Sequence, residues 1–238
     1  MSDYTLIQGD SLEWIATMEA GSADVAIFDP PYGIDGSTGT INKQRAKGEY
    51  NSTFEDNPEY ICNLVVPVVR MCIEKFGAVI VTPGNRNFSL YPHPDSFGCF
   101  YQPAAVGLQT FGNLDAQPIF YYGKNATKKN MGVRCSFQMT SQADDVAHPC
   151  RKPTKEWQQL ILAHTLPGQT VLDPFMGSGT TGEICIKNDR KFIGVELDVA
   201  YFQLAKQRIE KAAQMAAGEF VTKAGSVADT DDLPLFGT

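Results

Sequence analysis

Two short runs in this 238-residue chain carry side chains that could do chemistry together. Asp29-Pro30-Pro31-Tyr32 follows Ala23 to Phe28, an apolar run broken only by Asp24, which reads as a buried strand. Two successive prolines offer no N–H to a sheet and hold φ near about −65°, so the strand must stop at Asp29. Its end presents a carboxylate, a backbone carbonyl and an aromatic ring in a stiff frame. Carboxylate and carbonyl can both accept hydrogen bonds from one amino group, and the ring can stack on the flat molecule carrying it. That set suits the exocyclic amine of a nucleobase. The plainer alternative is an Asp-Pro turn with a tyrosine packed on it.

The second run is Val171-Leu172-Asp173-Pro174-Phe175, another strand end, followed by Gly177-Ser178-Gly179-Thr180-Thr181-Gly182. This is G-x-G-x-x-G between a strand and a helix, where glycines permit a tight turn and close approach of a ligand to the backbone. The next strand, Lys191 to Val195, ends in Glu196, and an acid about 20 residues after the first glycine usually takes ribose hydroxyls. Taken alone, the pattern points to a nicotinamide dinucleotide. Asp-Pro-Phe before the glycines and Asp-Pro-Pro-Tyr elsewhere argue against that.

Together the runs resemble the amino-methyltransferases that act on DNA with S-adenosylmethionine. D-P-P-Y is that family's catalytic motif and D-P-F-x-G-S-G-T-T its cofactor motif. The catalytic motif comes first here, which is similar to the β-class order, and the resemblance covers roughly residues 5 to 210. It implies catalytic roles for Asp29, Pro30, Pro31 and Tyr32. It implies cofactor contacts from Asp173, Pro174, Phe175, Gly177, Ser178, Gly179, Thr180, Thr181 and Glu196, with Glu196 on the ribose. Asp10, at the end of an early strand, would hold the adenine ring or, alternatively, only cap a helix. His148-Pro149-Cys150-Arg151-Lys152-Pro153 resembles the family's H-P-x-x-K-P segment, which places Lys152 at the methionine end of the cofactor. Pro149-Cys150 also spells the nucleophile dipeptide of cytosine-C5 methyltransferases, but it precedes the cofactor motif and fits the other segment better. His148 is read as structural.

These residues need a frame, and the chain is long enough for one α/β domain. Thr5 to Gln8 reads as a strand and Leu12 to Glu19 as a helix that Ser11 can cap. Pro58 to Lys75 reads as a helix kinked by Pro67. Gly77 to Thr82 reads as a buried strand stopped by Pro83-Gly84, with Asn85, Arg86 and Asn87 at its carboxyl edge. Pro103 to Leu108 and Gln117 to Tyr122 read as an antiparallel pair, in which Tyr121 and Tyr122 are candidate stacking rings or ordinary strand aromatics. Helices are expected from Thr154 to His164, Ser178 to Asn188 and Val199 to about Ala216. The result is a Rossmann-like, largely parallel, doubly wound sheet with one antiparallel pair and a circularly permuted motif order. Ligands bind at the carboxyl ends of such strands, so Asp10, Asp29, Gly84, Asp173 and Glu196 should share one edge. We expect a single methyltransferase domain over residues 1–216, including a flexible loop (33–56) and a short target-recognition segment (124–147), then a disordered tail (217–238).

Composition limits the partners. A hydrophobic fraction of 43% suits a globular protein, and no apolar run approaches the roughly 20 residues of a membrane helix. Six cysteines without a C-x-x-C pair fit a reducing cytoplasm and give no reason to expect a metal site. The N-terminus lacks the pattern of a secretory signal. A net charge of −7 is unusual for a DNA-binding protein. The basic residues nevertheless cluster: Lys43, Arg45 and Lys47; Lys124, Lys128, Lys129 and Arg134; Arg151, Lys152 and Lys155. Lys43, Arg45, Lys47, Lys128, Lys129 and Arg134 are the DNA-contact candidates, each group with a solvated surface as the alternative. Asp232-Leu233-Pro234-Leu235-Phe236 is similar to peptides that bind the bacterial sliding clamp, or else packs on its own domain.

The resemblance thus implies methyl transfer to the N6 amine of a flipped-out DNA adenine, by direct displacement, as in restriction-modification enzymes. Cytosine-N4 in DNA and adenine in RNA share the same chemistry. A dinucleotide-dependent oxidoreductase and an inactive DNA-binding relative are the alternatives of other kinds. A homodimer is a further candidate assembly.

Overall fold

The computed structural model describes residues 3–33, 57–102, 108–109, 112–113, 115–124, 127, 133–139 and 154–225. In the first half the chain forms β1 (Tyr4–Gln8), α1 (Ser11–Thr17), β2 (Val25–Phe28), α2 (Pro58–Tyr60), a π-helical stretch (Ile61–Val65), α3 (Val66–Phe76) and β3 (Ala78–Val81). β4 (Ser96–Tyr101), β5 (Leu108–Gln109), β6 (Gly112–Asn113), β7 (Ala116–Gly123) and β8 (Phe137–Gln138) follow. The second half holds α4 (Thr154–His164), β9 (Thr170–Asp173), α5 (Thr180–Lys187), β10 (Lys191–Glu196) and α6 (Val199–Gly225).

Eight strands form one sheet in the order β1-β10-β9-β2-β3-β7-β4-β8. From β1 through β3 every pairing is parallel. β7 runs antiparallel to both β3 and β4, and β8 is parallel to β4. β5 and β6 make a separate small hairpin. The Rossmann-like expectation therefore holds, with its antiparallel element at one end of the sheet.

The continuous apolar runs of β2 and β3 exist because both sheet faces are covered. Val25 and Ile27 pack with Trp157, Leu160 and Ile161 of α4 and with Ile184 and Ile209 of α5 and α6. Ala26 and Phe28, pointing the other way, pack with Ile15 of α1 and Val68, Val69 and Cys72 of α3. Such a strand is rigid on both sides, and its end is a fixed platform for Asp29.

Three local expectations are corrected. Asp10, not Ser11, caps α1: its Oδ1 accepts from the N–H groups of Leu12 (2.7 Å) and Glu13 (3.2 Å). The single helix expected from Pro58 to Lys75 is instead α2, the π-helical stretch and α3, with Pro67 in the first turn of α3. The π stretch before it widens the turn, with Val66 N–H bonded to the Ile61 carbonyl, where the proline ring would otherwise press on the carbonyl of Asn63. The partner of β7 is β4, residues 96–101, rather than Pro103 to Leu108. Residues 103–107 lie outside the described residues, and Leu108 sits in the small hairpin. Gly98 disguises β4 in the sequence. A Cβ there would lie 1.6 Å from the Cys135 carbonyl oxygen, so the neighbouring backbone requires the glycine.

α6 also runs past the expected end near Ala216, to Gly225. Its apolar periodicity fades where the helix becomes exposed, with Met215 53% accessible. No helix among the described residues is long and apolar enough to cross a membrane, and no cluster among them could hold a metal ion.

Candidate active site

β2 and β9 lie side by side, with Val25 opposite Val171 and Ala26 opposite Leu172. This register carries the end of β2, with Asp29, next to the end of β9, with Asp173 and its glycine turn. The Phe28 and Phe175 rings meet across the junction, with centroids 5.8 Å apart. Two motifs far apart in sequence thus share one edge.

At the Asp29 end, hydrogen bonds from other strands hold the motif. Asp29 is half-buried, and its Oδ1 accepts from the Tyr32 hydroxyl at 2.5 Å and from the Thr82 hydroxyl. Thr82 follows β3, and its N–H continues the ladder to the Phe28 carbonyl (3.3 Å). Gln117 of β7 donates its amide N–H to the Tyr32 hydroxyl oxygen at 2.5 Å. Asn87 Nδ2 donates to the carbonyls of Tyr32 (2.7 Å) and Gly33 (3.2 Å), fixing the exit of the motif. Gly84, at φ +73°, lets the Tyr32 ring lie against the backbone, since a Cβ there would come within 2.8 Å of the ring. Burial, followed by the negative charge of Asp29, pushes the Tyr32 phenol well above its ordinary range, so it stays a donor.

The glycine turn is anchored from behind. Asp173 is buried, with its Oδ1 accepting the Phe175 N–H at 3.0 Å. Thr181 is buried too, bonded to the Asp173 carboxylate and accepting from Trp157 Nε1 at 3.0 Å. Both side chains therefore brace the turn from within instead of lining its outer surface. Burial raises the Asp173 carboxyl to about 7, against hydrogen bonds from Thr181 and Phe175 that favour its charged form. The Pro174 carbonyl accepts the Ser11 hydroxyl, which ties α1 to the turn. Arg208 of α6 donates to Thr180 Oγ1 (2.8 Å) and the Ser178 carbonyl (3.3 Å), and pairs with Glu183. Glu196 grips the turn from β10: Oε2 accepts the Gly177 N–H (2.9 Å) and Oε1 the Asp198 N–H (2.8 Å). Burial raises its carboxyl above the ordinary range.

The three glycines divide the work. Gly179 and Gly182 are packing glycines, since a Cβ would lie 2.8 Å from Ala205 Cα at the first and 2.4 Å from Ile209 Cδ1 at the second. Gly177, at φ +52°, faces open space, with nothing within 4 Å of an added Cβ. Beside it a depression of about 540 Å³ opens along Leu197, Asp198, Val199 and Ala200. An open glycine backbone, an acid at the end of the next strand and half-exposed apolar side chains fit a nucleoside cofactor such as S-adenosylmethionine.

Asp10 reaches this same edge, where Gly9 N–H bonds the Glu196 carbonyl (2.9 Å), but its Oδ1 serves as a helix cap. Tyr121 and Tyr122 pack against the protein itself, Tyr121 with its ring centroid 5.0 Å from that of His164. Tyr122 is buried with its hydroxyl on the Pro92 carbonyl, and Tyr121 bonds the Cys135 carbonyl. Arg134 exposes its side chain just before β8, with β4 and β7 between it and β3. Lys43, Arg45, Lys47, Lys128, Lys129 and Lys152 lie outside the described residues, as do the 232–236 cluster and most of the 33–56 and 124–147 segments. Thr82, Asn87, Gln117 and Arg208 were not singled out as site residues in the sequence. Only the position of Asn87 just past a strand end hinted at one of them.

A family model described as a DNA methylase matches residues 109–207. The DNA adenine methyltransferase YhdJ of Escherichia coli (strain K12) is 43% identical over 251 residues, covering 90% of this chain and 85% of that protein. The type II methyltransferase M2.DpnII of Streptococcus pneumoniae is 26% identical over 243 residues, covering 86% and 89%. Among solved structures, the cytosine-N4-specific PvuII DNA methyltransferase shares the fold with a TM-score of 0.63 at 17% identity, covering 91% of this chain and 92% of that one. The M1.HpyAVI complex with S-adenosylmethionine matches with a TM-score of 0.57 at 21% identity, covering 87% and 98%.

Proposed function

This chain belongs to the DNA amino-methyltransferase family, which uses S-adenosylmethionine, and we propose that it methylates the N6 amine of adenine in DNA. The observation that supports the site assignment is the β2–β9 register, which brings the end of β2, followed by Asp29, next to the end of β9, where the glycine turn begins. Aspartate at the head of the catalytic motif favours adenine over cytosine, and the relative at 43% identity is named an adenine methyltransferase.

The bound cofactor supplies an activated methyl group on a sulfonium. Gly177 and its neighbours would hold the cofactor, with Glu196 at its ribose. The base must leave the duplex to reach this edge, at roughly a few kcal/mol of unstacking. The ring of Tyr32, pinned through its hydroxyl, stacks on it with the face opposite Gly84. The amine is a weak nucleophile because its lone pair is delocalised into the base. Asp29 and the Pro30 carbonyl would accept its N–H groups, favouring a pyramidal nitrogen with an available lone pair, and one of those protons would leave the nitrogen as it is methylated. Positioning and charge placement then carry the reaction. The basic segments 43–47 and 128–134 supply phosphate contacts, which gives a salt-dependent affinity despite the net charge.

The test is mass spectrometry of nucleosides from unmethylated DNA incubated with the protein and S-adenosylmethionine. N6-methyldeoxyadenosine is the expected product. N4-methyldeoxycytidine would keep the mechanism and overturn the base assignment, while absence of both would overturn the proposed activity on DNA.

A further inference from the structure

We propose that Thr82 and Gln117, which lie in neither motif, are positioning residues that set the rotation of the Asp29 carboxylate for attack by the amine. The inference rests on the functional reading above. Its basis is the directionality of the hydrogen-bond chain. An ionised carboxylate can only accept, so the Tyr32 and Thr82 hydroxyls must both donate to Oδ1. With its proton committed to Asp29, the Tyr32 oxygen can only accept from Gln117. Gln117 must therefore present its amide nitrogen, as it does at 2.5 Å. The chain runs one way, from Gln117 through Tyr32 to Asp29, and Thr82 donates to the same oxygen.

The members stand on or just after three neighbouring strands: Asp29 follows β2, Thr82 follows β3 and Gln117 lies in β7. Two donors on one oxygen fix the carboxylate about its Cβ–Cγ bond; Thr82 stands immediately after β3, and Gln117, which holds Tyr32, stands within β7. Neither Thr82 nor Gln117 belongs to the glycine turn. Their loss should therefore disturb transfer without disturbing cofactor binding. A misplacement of about 1 Å at a reacting group lowers the rate about 100-fold.

Isosteric substitutions test this. Gln117→Glu replaces the donor with an acceptor, and Thr82→Val removes the hydroxyl at constant volume. Steady-state methylation of DNA should show kcat reduced about 10- to 100-fold for each. Affinity for S-adenosylmethionine, measured on the same preparations, should stay within about threefold, which also shows that the variants are folded. Thr82→Ser should restore kcat to within about threefold of wild type. In a Tyr32→Phe background, Gln117→Glu should have no further effect, because the link between them is already cut. Unchanged kcat, equal losses in kcat and cofactor affinity, no rescue by serine, or additive losses in the double variant would each overturn the positioning role. Wild type assayed alongside separates the two claims. Methylation by wild type with variants unaffected defeats this inference alone, whereas no methyl transfer by wild type defeats the functional reading and this inference with it.

Discussion

The molecule uses the same dipeptide, Asp-Pro, at the ends of two adjacent parallel strands, and the two aspartates have opposite fates. Asp29 is half-buried and held by hydroxyls of Tyr32 and Thr82. Asp173 is buried, held by the Phe175 N–H and the Thr181 hydroxyl, with Trp157 behind. The proline does the same thing in both places: it ends the strand and turns the chain. The next residues decide the rest. A second proline and a tyrosine keep the Asp29 end stiff and facing the edge. Phe175 and the glycines after it fold back over Asp173. In the proposed site, one aspartate meets the substrate and the other shapes the turn that meets the cofactor.

This contrast can be broken first through pH. Asp173 titrates at about 7 in the folded chain because of burial, far above an ordinary aspartate. Between about pH 4 and 7 the folded state therefore holds a proton that the unfolded chain has released. Stability contributed this way is complete below about pH 4 and falls as pH rises through about 7, by up to roughly 4 kcal/mol. Thermal melts of the cofactor-free protein should show this slope. Asp173→Asn should remove most of it, while Asp29→Asn, which takes away only a minor contribution to the Asp173 shift, should leave most of it in place. A wild-type profile flat over this window would contradict the buried reading of Asp173.

A smaller effect sharpens the cofactor side. Glu196→Gln leaves one acceptor oxygen where two N–H groups, of Gly177 and Asp198, now find one each. Loss of one such bond, together with the ribose contact proposed for this acid, should weaken S-adenosylmethionine binding about tenfold by calorimetry, with the melting temperature moving by only a few degrees. Unchanged affinity would remove Glu196 from the proposed cofactor site.

Much of this was legible in the sequence because the strand ends announce themselves. Apolar runs buried on both faces, stopped by Asp-Pro, gave β2 and β9, and the alternation of strands and helices gave the parallel half of the sheet. β4 was hidden because Gly98 answers to a backbone contact with Cys135, which no local pattern encodes. Thr82 and Gln117 were hidden for a related reason. They lie 53 and 85 residues from the motif residues they touch, and only sheet pairing brings them there. The division of labour between Asp10 and Ser11 was inverted because both can cap a helix. Which one does so depends on the Pro174 carbonyl, which draws Ser11 away.

The measurement that bears most directly on the central claim is a single-turnover methyl-transfer assay of Asp29→Ala, paired with its affinity for S-adenosylmethionine. Transfer should fall at least about 1,000-fold, the upper range for losing one preorganised group at the reacting centre, with cofactor affinity within about threefold of wild type. Transfer at the wild-type rate, or loss of cofactor binding in step with activity, would contradict the assignment of Asp29 to the chemistry and of the glycine turn to the cofactor.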